Sequence, residues 1–175
     1  MMKRFFMIFA TLSVFAVCSV HAQDAAPSAA AGIKQSYNGI KMNLMKAAEK
    51  MPEDAYSFKP TPEVQSFGQR IAHIANQIRT CSSITGEAKP SDAASKTAKA
   101  DLVAALKASF DACDAAWDSL NDKTAVEMIA SRGGQRSKLG VLVGNTIHDT
   151  ELYGYLAVYM RLKGVVPPTS ERGGM

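Results

Sequence analysis

Four stretches of this chain carry apolar residues at steps of three and four, the spacing of one helix face. A chain with four such faces buries them by packing the helices on one another. The first stretch runs from Ala31 to Met51, where Ile33, Tyr37, Ile40, Leu44, Ala48 and Met51 share a face and Pro52 ends it. The second follows a Ser66 cap and continues from Phe67 to about Ile84 through Phe67, Ile71, Ile74, Ile78 and Cys81, with Gly86 as its C-cap. The third, from about Lys96 to Leu120, is the cleanest, with Leu102, Leu106, Phe110, Cys113, Trp117 and Leu120 in a narrow arc. The fourth is capped by Ser137 and reaches Lys163. Arg161 and Lys163 suit its negative pole, Gly164 suits a left-handed cap, and Pro167 with Pro168 prevents continuation.

The connections are polar and long. Pro52–Ser66 holds three prolines and two aromatics, which predicts an ordered loop, and Glu87–Ser95 is a polar linker. Asn121–Arg136 contains the Gly133–Gly134 pair, and Val126–Ala130 within it reads equally as a short strand or a helical turn. No alternating strand pattern or internal repeat is visible. The expected fold is all-α: a four-helix bundle with long connections.

The N-terminal segment sets the expected compartment. Lys3 and Arg4 precede an apolar run, Phe5–Val17, and a small-residue stretch in which Val20 and Ala22 stand at −3 and −1 of a signal-peptidase site. The run is shorter than the roughly 20 residues a membrane-spanning helix needs. Cys18 lacks the Leu and small residue that precede a lipoprotein cysteine. Residues 1–22 are therefore read as a signal peptide, which makes the protein periplasmic or secreted, with no membrane attachment after cleavage. Residues 23–31 (QDAAPSAAA) read as a disordered linker, 32–170 as the bundle and 171–175 as a flexible tail. The formal net charge is +4, and removing Lys3 and Arg4 leaves eighteen basic against sixteen acidic residues. So balanced a surface gives no electrostatic footprint for nucleic acid.

Few residues carry chemistry. His73 points away from the Ile71–Ile74–Ile78 stripe, so helix phase alone makes it solvent-facing. His148 shares a face with Leu152, Tyr155 and Tyr159, which on spacing alone makes it a neutral core histidine with a partner. Two isolated histidines fall short of the three or four protein ligands of a stable zinc site.

Three stretches carry a resemblance: FKPTPEVQSFGQRIAHIAN, IHDTELYGYLAVYMRLKG and the tail VVPPTS. Together they resemble the DinB-like family of helical-bundle, metal-binding proteins over about Tyr37 to Ser170. Tyr159, Arg161, Lys163, Gly164, Pro167 and Pro168 fit its C-terminal pattern at once. The resemblance implies an up-down-down-up bundle and a divalent metal, Zn or Ni, held by one histidine of the second helix and two of the fourth at i and i+4. His73 and His148 fall at the first two positions, but the third is Leu152, which cannot coordinate. Glu151 is the candidate for a weak extra ligand, and Gln77 offers a carbonyl. The implied parallel run of helices two and three also brings Cys81 and Cys113 toward one end of the bundle, where export favours a disulfide over two buried thiols.

Two functions follow as expectations. One is an exported metal-dependent transferase or hydrolase acting on an unidentified small molecule at a degenerate site. The alternative is a non-catalytic periplasmic binding or structural protein that has lost tight metal binding. A homodimer is compatible with either. The mature chain is expected to start within a few residues of Gln23, which intact mass of the periplasmic form checks; a retained Met1 would refute export.

Overall fold

The structure is a computed structural model that describes residues 28–171 except Arg132; the signal-peptide assignment of residues 1–22 lies outside them. Five helices carry it: α1 (Ala29–Lys50), α2 (Phe67–Ala75), α3 (Ile78–Ile84), α4 (Lys99–Asp118) and α5 (Lys138–Leu162). Two short strands, β1 (Met128–Ser131) and β2 (Gly134–Ser137), form an antiparallel hairpin. The fold is mostly helical, as expected, but not all-α.

Side-chain partners give the directions of the helices. Lys34 pairs with Asp118, Lys41 with Asp114 at 2.8 Å, and Lys99 donates to the carbonyls of Glu49 and Met51, so α1 and α4 run antiparallel. Gln77 donates to Ser109 at 3.3 Å and Cys81 bonds to Cys113, one turn further along both elements. The α2–α3 segment therefore runs parallel to α4. Arg70, His73 and Gln77 meet Tyr159, His148 and Asn145 in descending order, so α5 runs antiparallel to α2.

The second predicted helix is two. Asn76 and Gln77 stay near helical dihedrals, but short-range bonds such as Gln77 N–H to the Ile74 carbonyl (3.0 Å) tighten the chain there. Both side chains are taken by other elements: Asn76 accepts from Ser91 at 2.6 Å, and buried Gln77 bonds Asn145 and Ser109. The step between the helices thus carries two amides that both bond to other elements. Other boundaries shift less. The helix assigned to Ala31–Met51 starts at Ala29 under a Ser28 cap, so the last residues of the predicted disordered linker are helical. The third predicted helix starts three residues later and ends two earlier. Ser66 forms a full capping box with Gln69. Gly164 takes φ +72 after α5, the left-handed cap the sequence implied.

The Asn121–Arg136 connection holds a 3-10 turn at Thr124–Val126 and then the hairpin, with Ser131 opposite Gly134. Gly133 and Gly134 both have positive φ, the conformation a tight hairpin needs and other residues resist. Of the two readings open for Val126–Ala130, the strand is present at Met128–Ser131; its partner escaped the sequence because β2 is Gly-Gln-Arg-Ser, with no apolar alternation to read.

The core centres on Tyr37, whose ring lies 5.6 Å from Trp117 and 6.3 Å from Phe110. Its hydroxyl donates to Asp114 at 2.8 Å, and burial with that carboxylate holds the phenol well above its ordinary pKa. The Pro-rich loop is ordered: Tyr56 donates to the Ala48 carbonyl at 2.6 Å, and Gly68 N–H to the Tyr56 carbonyl at 2.8 Å. A Cβ on Gly68 would meet Tyr56 at 3.2 Å, which explains a glycine one residue inside a helix. Arg161 donates to Ser170 at 2.7 Å, and Lys163 covers Phe58 of the loop, 5.2 Å from its ring. Glu171, placed in the predicted flexible tail, is tied to Lys50 at 2.5 Å. Among the described residues no helix is long and apolar enough to cross a membrane.

Cys81 and Cys113 form a disulfide, with Cα atoms 4.7 Å apart and a sequence separation of 32. Closing a loop of that length contributes about 3 to 4 kcal/mol in the chain-entropy account. Replacing both cysteines by Ala should lower stability by an amount of that order in a denaturant titration; an unchanged midpoint would show that the cross-link constrains little.

Candidate metal-binding and anion-binding site

The α2–α5 interface is polar along one edge. His73 comes from the second turn of α2 and His148 from the middle of α5, and their Nε2 atoms stand 3.0 Å apart, with rings edge-on at 77°. Both histidines are exposed, and the His148 side chain is 49% accessible. The core-histidine reading of His148 is therefore corrected. Its four-residue face does exist, but Leu152 and Tyr159 lie on the inner side of it and are buried. His148 and Tyr155 lie on the outer side. A difference of a few tens of degrees around the helix decides which side a residue takes, and the sequence does not give it.

Partial burial, then the His148 ring, then the Arg70 guanidinium lower the pKa of His73 and favour its neutral form; the 3.0 Å contact is a hydrogen bond in which one ring nitrogen donates to the other. Glu151 does not converge on the paired nitrogens: its carboxylate lies 3.7 Å from Nδ1, the opposite side of the His148 ring, and accepts from Tyr155 at 3.2 Å. From there it can orient the ring, a role outer carboxylates play at histidine sites. The Gln77 carbonyl is occupied by Asn145 and its amide by Ser109. Leu152 is buried in the core. Among the described residues no group of three or more His, Cys, Asp or Glu side chains could hold a metal ion. The donors brought together are a pair of imidazoles, one fewer than the three-histidine site the resemblance implies.

Arg70 lies one turn before His73 on α2. Its guanidinium lies 4.4 Å from the Tyr155 ring and 5.6 Å from the Tyr159 ring, and its Nε donates to the Tyr159 hydroxyl at 3.3 Å. Tyr159 in turn donates to the Gln65 carbonyl at 3.1 Å. A shallow cleft of about 210 Å³ opens beside His73, lined by Gln65, Gln69, Ala72, Asn76 and Ala94.

Behind the histidines is an acid that sequence reasoning missed. Asp149 is 1% exposed, and its one side-chain partner among the described residues is Asn145, at 3.4 Å. Burial pushes its carboxyl up to about 8. The available signal was an Asn and an Asp four apart on a largely apolar helix, a pattern that marks an inward polar pair. Between the ordinary carboxylate value of 3.8 and about 8 the unfolded chain has released this proton while the folded chain keeps it. Folding then takes up a proton, so stability falls as pH rises through that window. Asp149→Asn copies the neutral acid; it should flatten that fall and stabilise the protein above pH 8 by on the order of a few kcal/mol. Parallel pH–stability curves for both proteins would contradict this.

Comparison with known proteins agrees with the architecture. A family model described as the DinB superfamily matches residues 39–155. The crystal structure of a DinB-like protein from Bacillus cereus superposes with a TM-score of 0.65 at 21% identity, covering 78% of this chain and 94% of that one, a likeness of fold. No curated protein matches the sequence. The family match takes in α2, α4, the hairpin and the histidine-bearing turns of α5, and the chain belongs to the DinB superfamily.

Proposed function

We propose that this protein is an exported DinB-superfamily bundle whose His73–His148 pair takes up a divalent cation, Zn²⁺ or Ni²⁺, weakly and exchangeably. The observation that carries the reading is the approach of two solvent-facing Nε2 atoms to 3.0 Å across α2 and α5. Two neutral nitrogens suit a borderline metal ion, and water can fill the remaining positions. Catalytic zinc sites hold their ion with three protein ligands, and Leu152 stands at the position that would supply the third. That favours a binding role over a resident catalytic ion, and hence the non-catalytic alternative over a transferase or hydrolase. Export is supported by Lys3, Arg4 and the Phe5–Val17 run, and the Cys81–Cys113 bridge is consistent with an oxidising compartment.

Calorimetric titration with Zn²⁺ tests the proposal. The wild type should bind weakly, His148→Ala should lose binding, and Leu152→His should tighten it at least tenfold, about 1.4 kcal/mol. Wild-type binding should also weaken as pH falls below the ordinary histidine range, since each ring must be neutral to ligate. Equal affinity in wild type and a folded Leu152→His protein would mean that another residue already completes the site. Unchanged binding in His148→Ala would place the ion elsewhere.

A further inference from the structure

Arg70 makes no ion pair and has one side-chain hydrogen bond, through Nε, so both terminal nitrogens lack an acceptor among the described residues. A surface arginine in that state is ordinarily a mobile, hydrated charge. Here the side chain is half-buried and held by two aromatic rings of α5 and the Tyr159 hydroxyl. Tyr155 is itself tied down by its bond to Glu151, and Tyr159 by its bond to the Gln65 carbonyl. The entropy of ordering a long cation has thus been met without using its terminal N–H groups. Arg70 and His73 stand one helical turn apart on α2.

We infer that Arg70 and the His73–His148 pair together form a binding site for a small carboxylate, which is clamped by the Arg70 terminal nitrogens and faces the paired Nε2 atoms. This rests on the histidine pair being a ligand site and names the class of ligand. A planar guanidinium with its terminal N–H groups unengaged matches a carboxylate in a two-point contact. The charge balance selects a monoanion. Glu151 sits on the same edge, bonded to Tyr155 and close to His148, and a dianion such as phosphate would meet its repulsion. The carboxylate also provides what Leu152 withholds. With a divalent ion on the two histidines, one of its oxygens becomes the third donor, so ion and carboxylate bind with positive coupling. Reciprocity requires each to tighten the other by the same factor.

The test is acetate binding followed by NMR titration of the disulfide-intact protein, metal-free and zinc-loaded, with inorganic phosphate as the second probe. Wild type should bind acetate saturably in the metal-free state and more tightly with Zn²⁺ present, and phosphate should bind less well than acetate. Arg70→Gln should lose at least tenfold in acetate affinity while its Zn²⁺ affinity in acetate-free buffer stays within about twofold of wild type, roughly 0.4 kcal/mol. Arg70→Lys keeps the charge and stem but not the planar fork. It should also bind acetate several-fold more weakly, and it serves as the test variant if Arg70→Gln proves unfolded by circular dichroism. Acetate bound equally by wild type and either folded variant, no saturable acetate binding in either metal state, or phosphate preferred to acetate would each overturn the proposal. Acetate binding that depends on Arg70 in a protein that takes up no Zn²⁺ would uphold the anion site and discard the metal reading. Zn²⁺ uptake without acetate binding would do the reverse.

Discussion

The parallel alignment of α2–α3 on α4 is fixed at two points one helical turn apart, the Gln77–Ser109 hydrogen bond and the Cys81–Cys113 disulfide. Both are buried, and they differ in kind. The bond is directional and lost if the helices slide; the disulfide limits the sliding but says little about rotation. Together they set both degrees of freedom of that helix pair. With α4 placed, Lys41 and Tyr37 of α1 find Asp114, and the first helix follows. With α2 placed, its outer edge meets α5 so that His73 faces His148 rather than a neighbouring turn. A slip of one turn, about 5.4 Å, would leave the two rings out of reach.

Gln77 connects packing to the site. Its amide satisfies Ser109 on one side and its carbonyl accepts from Asn145 on the other, and Asn145 also reaches Asp149. Buried polar groups are expensive unless matched, and here a serine, two amides and an acid match one another through the middle of the bundle. The chain steps between α2 and α3 to make this possible. The histidine edge is therefore supported from behind by hydrogen bonds with few alternatives, whereas the solvent side of the same edge keeps the Arg70 terminal N–H groups, which nothing described occupies.

Much of this was legible in the residues. The helix faces, the Ser66 and Ser137 caps and the Gly164 cap follow from local rules that the structure obeys, and the cysteine pair follows from the helix directions that the family resemblance implies. Each of these depends on neighbours in sequence or on one simple consequence of helix direction. What escaped depends on rotation and on contacts between distant elements. The His148 face was recognised, but which flank of it α2 would cover was not. Arg70 is unremarkable in a helix until two tyrosines nearly ninety residues away are laid beneath it. Asp149 reads as a surface acid beside a histidine until the interface closes over it. The first strand of the hairpin was one of two readings open for Val126–Ala130, but its partner Gly134–Ser137 has no apolar residue to announce it.

The tail clasp has a geometric consequence. Ser28 caps the start of α1 and Glu171 is tied to Lys50 at the end of the same helix, so the two ends of the described chain sit at opposite poles, separated by the length of α1, about 33 Å. Anything joined before Ser28 and anything joined after Glu171 would project from opposite faces of the domain. Two such domains fused head to tail would line up as beads along one axis rather than fold back side by side, and a circular permutant would need a linker long enough to travel the full height of the bundle.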